Sequence, residues 1–213
     1  MFTTNFEKYH KKSVLQLRSN FLLRLLKNDL ISDFDRSFDR ILSSKPGISF
    51  FGDQIYIQRI DFSSGASYFM NFNVRKAELF ITEQGIELQK LPIDLPLIYS
   101  DAEKLDARKL KLFSGTIQKI DPIITVYHHC INRLIVIDGN HRLELAKSRR
   151  NESIPAYCLS ADGLFQVLDD DLSRLLFIYH NNLCALNKVL FFKGLLPLKI
   201  KKSFDKICYY PAA

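Results

Sequence analysis

Residues 134 to 147 read LIVIDGNHRLELAK, and the way this stretch changes character decides how the rest of the chain is placed. Leu134 to Ile137 form an unbroken apolar run, the pattern of a strand covered on both faces. Asp138-Gly139 interrupts it, because glycine takes a positive φ freely and lets another group come close to the backbone. Asn140, His141 and Arg142 then fall at the expected start of a helix, where unpaired N–H groups and the positive end of the dipole favour an anion. Arg142 adds a planar fork suited to two phosphate oxygens, and His141 can give or take a proton near neutral pH. The pattern points to a phosphate site. It equally describes an ordinary turn: Asp-Gly pairs make turns, Asn and Asp cap helices, and a single Arg is usually solvated.

The flanking sequence supplies the frame. Pro122 to Tyr127 and Arg133 to Ile137 are expected strands joined by His128-His129-Cys130-Ile131-Asn132. Adjacent histidines on an extended chain point to opposite faces, so this segment is expected to be an exposed loop rather than a joint metal site. After the turn, Leu143, Leu145 and Ala146 can pack inward, while Glu144 either orients Arg142 or faces solvent. Ile154 to Leu159 returns as a strand. Upstream, Leu95 to Tyr99 can form another strand, and Ser100-Asp101-Ala102-Glu103 has the spacing of a capping box, which predicts a helix start.

From Leu91 to Leu159, and chiefly over PIITVYHHCINRLIVIDGNHRLELAKSRRNESIPAYCL at 122 to 159, the chain resembles the ParB/sulfiredoxin superfamily. Gly139, His141, Arg142, Ala146, Ile154 and Pro155 fall on its pattern of strand, G-x-H-R or G-E-R-R turn, helix, I-P and strand. Sulfiredoxins carry a reactive cysteine where this chain has Asn140, so that chemistry is not expected. ParB-type partition proteins usually have Glu and Arg after the glycine and a helix-turn-helix domain beyond, and some fifty residues remain here. The D-G-x-H-R form is more similar to the free serine kinases. That resemblance implies a nucleotide-phosphate site at Asp138, Gly139, Asn140, His141 and Arg142 with Glu144 beside it. It also implies Mg²⁺, with Asp138 as its ligand, accompanying ATP, ADP or CTP, and a small hydroxyl acceptor such as serine. Asp101 or Glu103 would be the base, with His141 as a further catalytic candidate. The capping box accounts for Glu103 without catalysis.

Composition sets outer bounds. Of 213 residues, 47% are hydrophobic and 25% charged, which describes an ordinary globular chain rather than a disordered one. A net charge of +7 favours acidic partners such as nucleotides or nucleic acid without naming one. Cys130, Cys158, Cys184 and Cys208 are widely separated and lack metal-finger spacing, so they are read as reduced and structural. The opening MFTTNFEKYHKK does not resemble a signal peptide, and no clean apolar stretch of membrane-spanning length occurs, which places the chain in the cytoplasm by expectation.

Residues 5 to 30 pattern as a basic amphipathic helix whose Lys8, Lys11 and Lys12 could meet nucleic acid. This supports the alternative of a non-catalytic, nucleotide-responsive or DNA-binding module. Asp33 is read as the cap of a second helix, and Ile55 to Phe62 and Tyr68 to Val74 as strands; residues 76 to 84 fit either helix or strand. Asp162 is read as capping a helix that continues through Leu176, with Asp169-Asp170-Asp171 on its solvated face. The fold class expected is α+β or mixed α/β: helices and a small antiparallel sheet over 1–90, a ParB/sulfiredoxin-like module over 91–160, and C-terminal helices over 161–213. Oligomeric state is left open.

Overall fold

The computed structural model describes residues 8, 10–12, 14–15, 29–43, 54–61, 67–100 and 120–191. The chain is a mixed α+β protein that divides into two compact units, one of residues 1–48, 59–70 and 170–213, the other of 49–58 and 71–169. The stretch 91–160 distinguished in the sequence falls wholly within the second unit, whereas 1–90 and 161–213 are each divided between the two. Among the described residues no helix is long and apolar enough to cross a membrane.

The elements, in chain order, are α1 (Asp29–Ser43), β1 (Ile55–Asp61), β2 (Ser67–Asn73), α2 (Val74–Gln84), β3 (Gln89–Pro92), β4 (Ile98–Tyr99), β5 (Ile123–His128), β6 (Arg133–Asp138), α3 (Asn140–Ser148), β7 (Ser153–Leu159), α4 (Ala161–Gln166) and α5 (Asp171–Phe191). Strands β1 and β2 form a two-stranded sheet, and the short link between them requires it to be antiparallel.

The first unit packs α1 against α5. Helical position His10 is buried, stacked on Phe38 with ring centroids 4.0 Å apart. One of its nitrogens meets Asp35 at 3.0 Å and the other meets the Tyr179 hydroxyl. A buried imidazole needs partners at both nitrogens, and this pair supplies them. Lys8, Lys11 and Lys12 are exposed while His10 and Val14 are buried, so these positions keep the amphipathic arrangement expected of them.

The second unit holds a five-stranded sheet in the order β3-β7-β5-β6-β4. Strand β5 lies at its centre, antiparallel to β6 and parallel to β7, and five of its six residues are buried. β3 closes one edge antiparallel to β7. β4 closes the other edge parallel to β6, with Tyr99 in register with Ile135. Ile123, Val136, Leu143, Ala146, Ile154 and Ala156 form the core between α3 and the sheet.

Three expectations are corrected. The stretch after Asp162 is two helices rather than one, because Ser160 caps α4 and Asp170 starts α5 by accepting the Ser173 N–H at 2.7 Å and its hydroxyl at 2.8 Å. Asp169 and Asp170 are therefore structural rather than solvated: side chains 5% and residue 5% exposed respectively, against 86% for the Asp171 side chain. Asp169 accepts from the Asn73 amide at 3.0 Å, while the main chain ties Asn73 to Val167 and Asp169 to Asn71. Finally, His128 belongs to β5 and is fully buried instead of lying in an exposed loop. The ambiguous residues 76 to 84 are helical, since Asn73 caps the Lys76 N–H at 3.0 Å and Gly85 closes α2 in the left-handed region.

Candidate functional site

Strand β6 ends at Asp138, opposite Ile124, and the chain reverses at Gly139 with φ +89°. A Cβ at this position would stand 2.6 Å from Ile123 Cγ2 and 2.9 Å from Arg142 Nε. Glycine is required on both counts, conformation and space.

The close approach has a purpose in the local geometry. Arg142, one turn into α3, folds back over the glycine and donates from one terminal nitrogen to the Pro122 carbonyl at 2.6 Å. The other terminal nitrogen pairs with Asp138 Oδ2. Both side chains are about three-quarters buried, 27% and 23% exposed, so water screens this pair less than a surface one. The contacts fasten the lead-in to β5, the end of β6 and the first turn of α3 to one another. They occupy two of the five N–H donors of a guanidinium.

The start of α3 differs chemically from those of α2, α4 and α5, which Asn73, Ser160 and Asp170 cap. No side chain caps it; Gly139 occupies the cap position and its carbonyl receives the Leu143 N–H at 2.9 Å. The N–H groups of a first turn have no acceptor within their own helix, and here no capping side chain takes that place. Asn140 faces inward instead, donating from Nδ2 to the Val136 carbonyl at 3.1 Å, and its buried Oδ1 has no hydrogen-bond partner among the described residues. His141 stands partly exposed beside it. Glu144 pairs with Lys147 at 2.6 Å, so it does not orient Arg142.

These contacts bear on the groups the sequence suggested. Anion binding fits, because the turn offers main-chain donors and a guanidinium held in place. Direct Mg²⁺ ligation by Asp138 does not fit: one carboxylate oxygen is engaged by a cation, and among the described residues no group of three or more His, Cys, Asp or Glu side chains converges there. A hard cation with little protein charge to neutralise it would have to compete with Arg142. Asp101 and Glu103, the candidate bases, lie outside the described residues. The described chain does bring Tyr99 and Ser100, at the carboxyl end of β4, to the same end of the sheet as the carboxyl end of β6, the end at which open sheets commonly bind ligands.

His128 lies at the opposite end of the β5–β6 hairpin, at the last position of β5. Burial, and secondarily the neighbouring His129, push the His128 imidazole down to about 3, so His128 is neutral at physiological pH. Nothing in the sequence around His128-His129 signalled this, since the alternation of the two side chains leaves open which face is covered.

A scan against protein-family models and a search of curated proteins each return no match for this chain.

Proposed function

We propose that the Asp138–Arg142 turn binds the phosphates of a nucleotide and that the protein transfers a phosphoryl group to a small hydroxyl compound of the serine type. The observation that supports this reading is the uncapped start of α3, backed by an arginine already fixed against Asp138 and Pro122. Main-chain N–H groups of the first turn would donate to phosphate oxygens, and the free donors of Arg142 would offset charge that builds up during transfer. Asp138 acts as the positioning partner of Arg142. The acceptor oxygen would attack phosphorus as the bond to the nucleotide oxygen breaks, with a carboxylate or His141 taking the hydroxyl proton.

The test is calorimetric titration of the full chain with ATP, ADP and CTP, with and without Mg²⁺, followed by assay for nucleotide turnover with serine. Binding weakened at least about tenfold by Arg142→Ala, with turnover dependent on the acceptor, is the expected result. Absence of binding by all three nucleotides would overturn it.

A second reading draws on the exposure of Lys8, Lys11 and Lys12, which could hold nucleic acid by charge. It requires affinity that falls steeply with salt and that drops when these lysines are replaced. DNA binding indifferent to both would dismiss it.

A further inference from the structure

The far end of α3 carries a second feature, independent of the phosphate reading. A helix of nine residues separates the two by about 13 Å. A groove of about 540 Å³ is lined there by Ile93, Asp94, Lys147, Arg150, Asn151 and Glu152, within the size range of small-molecule sites. Its walls are fixed by main-chain bonds: Ile93 N–H donates to the Glu152 carbonyl at 3.2 Å, Arg150 N–H to Lys147 at 3.0 Å and Asn151 N–H to Ala146 at 3.1 Å.

The last two bonds are those of a Schellman helix terminus, in which the residue at the Arg150 position is usually glycine. Arg150 occupies it at φ +55°. A Cβ in the left-handed region costs conformational energy that glycine avoids, so the chain retains a side chain where none is structurally wanted.

That side chain faces a groove of unspent charge. Lys147 is held by Glu144, whereas the side chains of Asp94, Arg150, Asn151 and Glu152 form no hydrogen bond or ion pair among the described residues. With Lys147 committed to Glu144, one guanidinium and two carboxylates remain along the groove, so it offers charge of both signs to a ligand. The main-chain bond between residues 93 and 152 sets Asp94 and Glu152 on adjoining segments, and Arg150 and Asn151 adjoin each other along the chain.

We propose that this groove is a binding site for a small zwitterion of the free amino-acid class. The ligand's ammonium lies toward Asp94 and Glu152, its carboxylate on the fork of Arg150 and the amide of Asn151, and its apolar part against Ile93. A preformed wall on either side limits the ordering cost of binding.

The experiment is ligand-observed saturation-transfer NMR on the full chain with the twenty free amino acids as probes, followed by calorimetry on those that respond. The expected result is saturable binding by at least one, weakened about tenfold or more by Arg150→Gln and by Glu152→Gln. N-acetylation of the ligand should have the same effect. All the altered side chains are exposed, and an unchanged melting temperature in both variants verifies folding. No response from any amino acid would overturn the proposal, as would binding untouched by both substitutions or equal binding of the N-acetylated form. Because the Arg142→Ala protein keeps this groove, loss of nucleotide binding there with amino-acid binding intact separates the two sites.

Discussion

The start of α2 and the start of α3 both follow a strand directly and both carry an asparagine, yet they use it in opposite ways. Asn73, completely buried, caps its helix through Oδ1 and donates from its amide to Asp169. Every polar atom of that side chain has work within the fold. Asn140 sits one residue further in, caps nothing, and leaves Oδ1 buried without a partner among the described residues. A helix start whose donors and charges are consumed internally is architecture. One left uncapped, next to a glycine that admits an arginine, keeps donors for something else.

The widest effect on stability is expected away from both helix starts and fixes the pH at which they should be compared. The folded His128 is pushed down to about 3 by burial, below the value of about 6.5 for an unfolded histidine. The unfolded chain therefore binds the extra proton, and the stabilisation from neutral His128 is complete above about pH 6.5 and lost as pH falls toward 3, at up to about 1.4 kcal/mol per pH unit. Urea titrations from pH 7 to pH 4 should show this slope. His128→Gln, even if less stable at pH 7, should flatten it; an unchanged slope would mean that other groups govern acid unfolding.

At the α3 turn itself, Gly139→Ala forces a Cβ into Ile123 and Arg142 and a side chain into the left-handed region, which together cost about 3 kcal/mol. Equilibrium denaturation measures it, and a loss below about 1 kcal/mol would show that the turn can open without harm. The same replacement at the two asparagines sharpens the contrast. Asn73→Ala removes a cap and takes from buried Asp169 its amide donor, leaving it Lys76 at 3.6 Å, for about 2 kcal/mol, whereas Asn140→Ala gives up one amide bond but also removes an unsatisfied acceptor, for about 0.5 kcal/mol or less. Equal losses at both positions would contradict the division between them.

How far the sequence could be read follows from the range of the interactions involved. The strands around 123–128 and 133–138, the turn at Gly139 and the helix after it follow from local pattern, since a four-residue apolar run and an Asp-Gly break are signals within a few residues. The pairing of Asp138 with Arg142 is also local, one helical turn apart, but spacing did not reveal that each would occupy the other. Asp169 and Asp170 were illegible for the opposite reason. Three consecutive acids look solvated, and the burial of the first two follows from contacts of Asp169 with Asn73 and Lys76, more than ninety residues away in sequence, and from the cap of Asp170 onto Ser173. His128 likewise owes its burial to its place at the end of the central strand. The left-handed conformation of Arg150 has no local signal either, since it rests on the Schellman bonds that end α3.

The decisive measurement compares nucleotide binding by calorimetry at pH 7.5 in the wild type, Arg142→Lys and Asn73→Ala. Arg142→Lys keeps the charge but loses the fork that holds Asp138 and Pro122 together. The reading predicts saturable binding of at least one of ATP, ADP and CTP, weakened about tenfold or more in Arg142→Lys and unchanged in Asn73→Ala at a temperature where all three are folded. Absence of binding in the wild type, or equal binding in Arg142→Lys, would contradict it and leave the Asp138–Arg142 turn as a structural fastening of β5, β6 and α3.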